Sequence, residues 1–223
     1  MTENLVSSKL VCVALNDTTQ RAAMAAAFTD APYKQAPTQP VLYYKPRNTW
    51  NTHGQVVPWA IGGDGGAADA MVVGGSLGVV IGKTACRVSA EQALSYVQGY
   101  TLVADYSLPE VSYYRPDIRG KCQDGTAPVG PQVTTADAIT DPDALEVLVH
   151  VNGACQSHFP LSRLHDNVAN IIAKLSHIMT LQPGEVIATG FCGERTPVQP
   201  GDTVAIEIGA IGTLVNTLGE RAA

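Results

Sequence analysis

Short apolar runs, each closed by a turn signal, recur along this chain and limit its fold more than any other feature. Residues 11–15, 41–45, 70–73, 77–81, 100–104, 145–151, 186–189, 204–208 and 213–216 are strand-length, with β-branched and aromatic residues prominent in several. Gly74-Gly75 divides two of them with the composition of a bend or bulge. Asn152-Gly153 is a two-residue hairpin signal, and Pro183-Gly184 and Pro200-Gly201 punctuate the closing strands. Helical patterns are fewer. Asn16, Asp17 and Thr18 are candidate caps for an Ala-rich helix over residues 20–28. Ser89 and Gln92 have capping-box spacing and open a helix that stops at Gly99. Residues 162–180 form the best helix, with Leu164, Val168, Ile171, Leu175 and Ile178 three or four apart on one face. Many short strands with few helices predict a β-rich α+β fold, a mixed sandwich or roll with helices outside it. The 223 residues fit one domain spanning 1–223.

Charge narrows the partners. Charged residues are 15% of the chain, against about 25% in ordinary soluble domains, which suits an oligomer interface. A net charge of −6 argues against nucleic acid, whose affinity needs basic surface. There is no apolar run of ~18 residues to span a membrane. The first apolar run is short and follows Glu3, so it does not read as a secretory signal. Five cysteines, an odd number with no C-x-x-C spacing, fit free thiols in a reducing cytoplasm rather than a disulfide framework or a zinc site. His165 and His177 are more than three helical turns apart and cannot share a metal. The glycines of residues 61–68 read as a turn or lid. They lack the Gly-Lys-Ser/Thr ending of a phosphate loop.

Residues 99–131 carry the chemistry. A strand ends on Asp105, a loop holds Tyr113, Tyr114, Arg115, Asp117 and Arg119, and Gly120-Lys121 follows. Gly125, Pro128, Gly130 and Pro131 make a turn-rich exit. A carboxylate at a strand end and a lysine beyond a loop can face one cavity. The same pattern fits a solvated loop with an ordinary ion pair.

Gly-Tyr-Thr-x-x-x-Asp-x-Ser at 99–107, followed by Lys-x-x-Asp-Gly-x-x-Pro-x-Gly at 121–130, resembles the core of the fumarylacetoacetate hydrolase family. Lys45-Pro46-Arg47-Asn48-Thr49, Val79-Val80-Ile81-Gly82-Lys83, residues 181–190 and residues 198–202 resemble its flanking segments. The ordered set runs from about Val11 to Asn216. Within the family, Ser107-Leu108-Pro109-Glu110, Tyr114-Arg115-Pro116 and Lys121-Cys122-x-Asp124-Gly125 resemble the N-terminal half of the two-activity enzymes of homoprotocatechuate breakdown. Some of those are fused copies of the fold and others are split subunits, and this chain resembles a separate N-terminal subunit.

The resemblance implies the mixed β-sandwich roll and a divalent ion, Mg2+ or Mn2+, held by a Glu-x-Glu pair and a later aspartate. Such oxygen ligands suit those ions. Here the glutamate positions are Gly74 and Ser76, so two of three ligands are absent, Asp105 alone is left, and no metal is expected in this chain alone. Gln20 stands where the family carries a histidine, and Gly190-Phe191-Cys192 replaces its Gly-Thr-Pro. The implied site has Lys121 and Asp105 as catalytic residues. Arg115, Tyr114, Lys45 and Thr189 bind a small dicarboxylate or tricarboxylate keto acid, and Arg47 is a weaker candidate. The implied reactions are decarboxylation of 5-oxopent-3-ene-1,2,5-tricarboxylate and isomerisation of 2-hydroxyhepta-2,4-diene-1,7-dioate. The alternatives are a non-catalytic subunit supporting a metal-bearing homologue, or another acylpyruvate or diketone hydrolase. A homodimer or a hetero-oligomer with that homologue is the expected assembly.

Overall fold

The computed structural model describes residues 5–110, 112–115 and 117–221. Among them thirteen strands form two sheets. They are β1 (Leu10–Ala14), β2 (Val41–Tyr44), β3 (Trp50–Thr52), β4 (Val56–Val57), β5 (Met71–Ile81), β6 (Val97–Ser107), β7 (Ala127–Thr135), β8 (Glu146–Val151), β9 (Ala154–Pro160), β10 (Val186–Ala188), β11 (Thr196–Val198), β12 (Thr203–Ile208) and β13 (Gly212–Leu218). The larger sheet runs β2-β1-β10-β5-β6-β7-β3, with β11 also paired to β5. The smaller runs β4-β13-β12-β8-β9. This is the β-rich roll expected from the spacing of the apolar runs.

Period-two alternation sorts the larger sheet's side chains. Val11, Val13, Val73, Leu77, Val79, Leu102, Ala104 and Ile187 belong to the main core, which they share with Val147, Val204, Ile206 and Leu214 of the smaller sheet. The opposite face carries Leu10, Cys12, Val80, Val103 and Val186 in a second cluster. Strands buried on both faces read as nearly continuous apolar runs, as β5 and β6 do. Helix α5 (Val168–Ile178) covers one side of the main core with Val168, Ile171, Ile172 and Leu175.

Several local expectations are corrected. Gly74-Gly75 does not divide a strand, because β5 is continuous through both. A Cβ on Gly75 would fall 2.7 Å from Ile206 Cγ2 and 2.9 Å from Val147 Cγ1. Close approach of the smaller sheet therefore requires glycine there. Of the turn-rich exit, Gly125 does sit in a turn, with φ of 66°, but Pro128, Gly130 and Pro131 belong to strand β7, which pairs with β6 and β3. The helix from Ser89 is only α3 (Ala90–Ala93) and one 3₁₀ turn, Leu94–Tyr96, because β6 begins at Val97. The Ala-rich segment is two short helices, α1 (Thr18–Ala23) and α2 (Ala25–Thr29). Helix α5 starts six residues later than its apolar face suggested, where the Asn167 side chain accepts from Asn170 N. Asn152-Gly153 does form the β8–β9 hairpin, with φ of 50° and 81°.

Candidate functional site

The second face of the larger sheet assembles a buried charge cluster on Asp105. Gly74 of β5 and Asp105 of β6 are antiparallel partners. Tyr43 comes from β2, and Lys45 follows that strand directly. Lys121 closes the one-turn helix α4 (Ile118–Lys121), whose start is fixed by the Asp117 carboxylate accepting from Gly120 N. Arg195 immediately precedes β11, and pairing of Thr196 with Val73 brings the arginine over Gly74.

Asp105 is fully buried. Its Oδ1 accepts from Ser107 Oγ at 2.7 Å and pairs with Lys45 Nζ at 2.7 Å. Its Oδ2 accepts from the Tyr43 hydroxyl at 2.6 Å and faces Arg195 Nη2 at 3.2 Å and Lys121 Nζ at 3.6 Å. Burial disfavours the charge on Asp105, but Lys45, Lys121 and Arg195 outweigh burial and hold its pKa well below the ordinary carboxylate range. Burial likewise opposes charge on Arg195, and Asp105 outweighs it to raise the guanidinium's pKa. Lys45 also donates to Tyr106 O at 3.0 Å. Burial and then the Asp105 charge push the Cys12 thiol up to about 12, which leaves it a neutral filler rather than a nucleophile.

Lys121 is the cation that reaches outward. Its Nζ lies 3.2 Å from Glu110 Oε2 and 5.0 Å from the centre of the Tyr43 ring. Burial raises the Glu110 pKa, and Lys121 only partly offsets that. Lys121 and Glu110 open onto a cleft of about 630 Å³ whose wall includes Tyr43, Tyr113, Tyr114 and Arg115. Burial, then Glu110, raises the Tyr113 pKa. A second groove of about 840 Å³ is lined by Gln20, Arg163, Cys192, Gly193 and Arg195. Gln20 Nε2 donates to the Tyr113 hydroxyl at 2.8 Å, which ties the wall of the groove to the wall of the cleft.

The structure therefore brings Asp105, Lys45 and Lys121 together. Tyr114 and Arg115 sit farther out on the cleft wall. Tyr114 is exposed and edge-on to Tyr33. Arg47 is exposed. Thr189 is fully buried, and its hydroxyl donates to Leu77 O at 3.3 Å. Sequence reasoning singled out neither Tyr43, Ser107, Glu110 nor Arg195 as a site residue. Ser107 and Glu110 lay inside the quoted motif, two and five residues past the aspartate. Arg195 had no local signal, since its role depends on how a distant loop folds back.

The residues present do not suit the family's divalent ion. Gly74 and Ser76, which the resemblance sets at the glutamate positions, offer no carboxylate, and the Ser76 hydroxyl donates to Leu77 O at 3.1 Å. A carboxylate offers about four lone-pair sites, and five donors already surround the two oxygens of Asp105. Among the described residues no cluster of three or more His, Cys, Asp or Glu side chains could hold a metal.

Residues 9–219 match the fumarylacetoacetate (FAA) hydrolase C-terminal family. The 4-hydroxyphenylacetate degradation bifunctional isomerase/decarboxylase of Escherichia coli is 37% identical over 197 residues, which are 88% of this chain and 44% of that protein. The chain thus spans less than half the length of that relative. The 2-hydroxyhepta-2,4-diene-1,7-dioate isomerase of Mycobacterium marinum superposes with a TM-score of 0.75 at 31% identity, over 99% of this chain and 77% of that one. The fumarylpyruvate hydrolase of Pseudomonas aeruginosa, whose structure contains Mn2+ and pyruvate, has the same fold, with a TM-score of 0.79 at 23% identity over 96% of this chain and 90% of that one.

Proposed function

Because the chain belongs to the fumarylacetoacetate hydrolase family, a family of enzymes acting on small acids, we propose that it works in 4-hydroxyphenylacetate breakdown. Its reactions there are decarboxylation of 5-oxopent-3-ene-1,2,5-tricarboxylate and isomerisation of 2-hydroxyhepta-2,4-diene-1,7-dioate. It does so in the cytoplasm, as an N-terminal-type subunit of a homodimer or of a hetero-oligomer with a homologous metal-bearing subunit. The observation that carries this reading is the charge balance at Asp105. One fully buried carboxylate is surrounded by Lys45, Lys121 and Arg195, and Lys121 also pairs with Glu110 at 3.2 Å. Three cations face two carboxyl groups, Asp105 and Glu110, so positive charge is left over for the carboxylates of a keto acid.

Lys121 binds a carboxylate or the keto oxygen, with Arg115 and Tyr114 at the outer wall of the cleft. In decarboxylation the bond to the departing carboxylate breaks, CO₂ leaves, and the electron pair moves through the double bond onto the keto oxygen. Lys121 stabilises that oxyanion. Protonation on oxygen gives the hydroxydiene, and isomerisation moves that proton to carbon. Glu110 carries it, since its raised pKa keeps a proton available at higher pH than an ordinary glutamate does. Asp105 does not touch substrate in this scheme. It positions Lys121 and neutralises Lys45.

Gly74 and Ser76 in place of the family's glutamates support a second reading, in which the chain is a non-catalytic subunit that completes a metal-bearing homologue. Loss of the substrate's ultraviolet absorbance distinguishes the two. The proposal expects turnover by this chain alone, or turnover in the mixed complex that needs this chain's own Lys121. Turnover that depends on the partner's site and ignores Lys121 supports the second reading.

A further inference from the structure

We propose that Arg195 takes the place of the divalent cation at this site, so that the keto-acid anion is bound without metal, between Arg195 and Lys121. The inference deepens the proposed function and rests on its assignment of a keto-acid site. It starts from Gly74. A Cβ added there would fall 2.1 Å from Arg195 Nη1 and 2.8 Å from its Cζ. No side chain beyond glycine fits while the guanidinium holds this position. Glycine at residue 74 and the position of the residue 195 guanidinium therefore require one another, and a fixed positive charge fills the side-chain space at residue 74.

The guanidinium is built in rather than loosely placed. Its Nη2 faces Asp105 Oδ2 at 3.2 Å, and its Cζ lies 4.1 Å from the centre of the Phe191 ring, a stacking distance. The β11–β5 pairing fixes the backbone on its C-terminal side. Its Nη1 is shielded from solvent and meets no acceptor among the described residues. A buried charged donor without a partner is costly, and an oxyanion supplies what it lacks. Arg195 also lines the groove that runs past Gln20, Cys192 and Gly193, which gives a small anion a route to it. Lys121 Nζ lies 3.6 Å from the same Asp105 Oδ2, so two cations meet one carboxylate oxygen, and an anion that takes the place of Glu110 on Lys121 is shared between them.

The test needs no turnover, so its failure is distinct from failure of the proposed reactions. Oxalate, a small planar dicarboxylate, is titrated calorimetrically into metal-free protein in EDTA, and Mn2+ is titrated separately with free Mn2+ read by electron paramagnetic resonance. The proposal expects oxalate to bind equally with EDTA or with Mn2+, and expects no Mn2+ site at micromolar concentration. Arg195→Met weakens oxalate at least tenfold, and Arg195→Lys recovers part of the loss. One Mn2+ bound per chain at micromolar concentration, or oxalate binding only when Mn2+ is present, overturns the proposal using wild-type protein alone. Wild-type-like oxalate affinity in a folded Arg195→Met protein overturns it as well.

Discussion

Replacing Lys45 by methionine tests whether the Asp105 cluster is the structural centre of the larger sheet. Both side chains are fully shielded from solvent, and Nζ and Oδ1 are 2.7 Å apart. Methionine matches the lysine stem in size, so the change removes charge and hydrogen bonds with little loss of volume. Removing one partner of a buried pair typically costs about 3–5 kcal/mol, because the other charge stays buried. Arg195 and Lys121 still face Asp105, so the lower end, about 3 kcal/mol, applies. At roughly 2–4 °C per kcal/mol for a chain of this size, the melting temperature falls by about 6–12 °C. Urea unfolding at fixed protein concentration measures the same loss. Asp105→Asn added to Lys45→Met does not recover it, since Arg195 and Lys121 then lose their buried counter-ion. The depressed Asp105 pKa fixes the pH sign. Folding strengthens this group's hold on its charge, so its contribution is fully present above the unfolded pKa near 3.8 and is lost as pH falls through the lower folded value. Lys45→Met flattens that acid limb. A variant within about 1 kcal/mol of wild type, with an unchanged acid limb, refutes the assignment of Asp105 and Lys45 as a buried pair.

Glu110→Gln removes a proton carrier whose pKa burial raises above the ordinary carboxylate value. Wild-type turnover should fall as pH rises through that raised pKa, and a pH–rate profile of the variant should be lower and lack that limb. Gly74→Ala forces a Cβ into the space of Arg195 Nη1 and should displace the guanidinium from Asp105. Melting-temperature loss with weakened oxalate binding checks it, and wild-type values in both contradict it. Sedimentation at micromolar concentration should give at least twice 23.4 kDa, and a clean monomer at all concentrations excludes the homodimer.

Short apolar runs closed by turn signals made the β-rich fold legible, and the Asn152-Gly153 hairpin followed from two residues alone. What stayed hidden depended on distant packing. Gly74-Gly75 has the composition of a bend, yet the strand is continuous through both, and glycine is needed because Arg195 and the Ile206 and Val147 side chains fill the space that side chains there would occupy. Pro128 and Gly130 read as a turn, yet their segment is strand β7. Asp105, Lys45 and Lys121 were visible because motif and strand end place them. Arg195 was not, since it stands 90 residues beyond Asp105 and only the pairing of β11 with β5 carries it into the site. Glu110 needed the fold to show that it is partly buried against Lys121.

Lys121 bears the central claim, that this chain's own cleft performs keto-acid chemistry. Removing one contact that stabilises developing negative charge typically costs about 2–4 kcal/mol, and each ~1.4 kcal/mol is tenfold in rate. The decisive measurement is the rate of loss of the substrate's ultraviolet absorbance by the assembled protein carrying Lys121→Met in this chain only. The account predicts a fall of roughly a hundredfold or more with assembly and fold intact. Turnover near wild type in a normally assembled complex contradicts it and leaves this chain as support for another subunit's site.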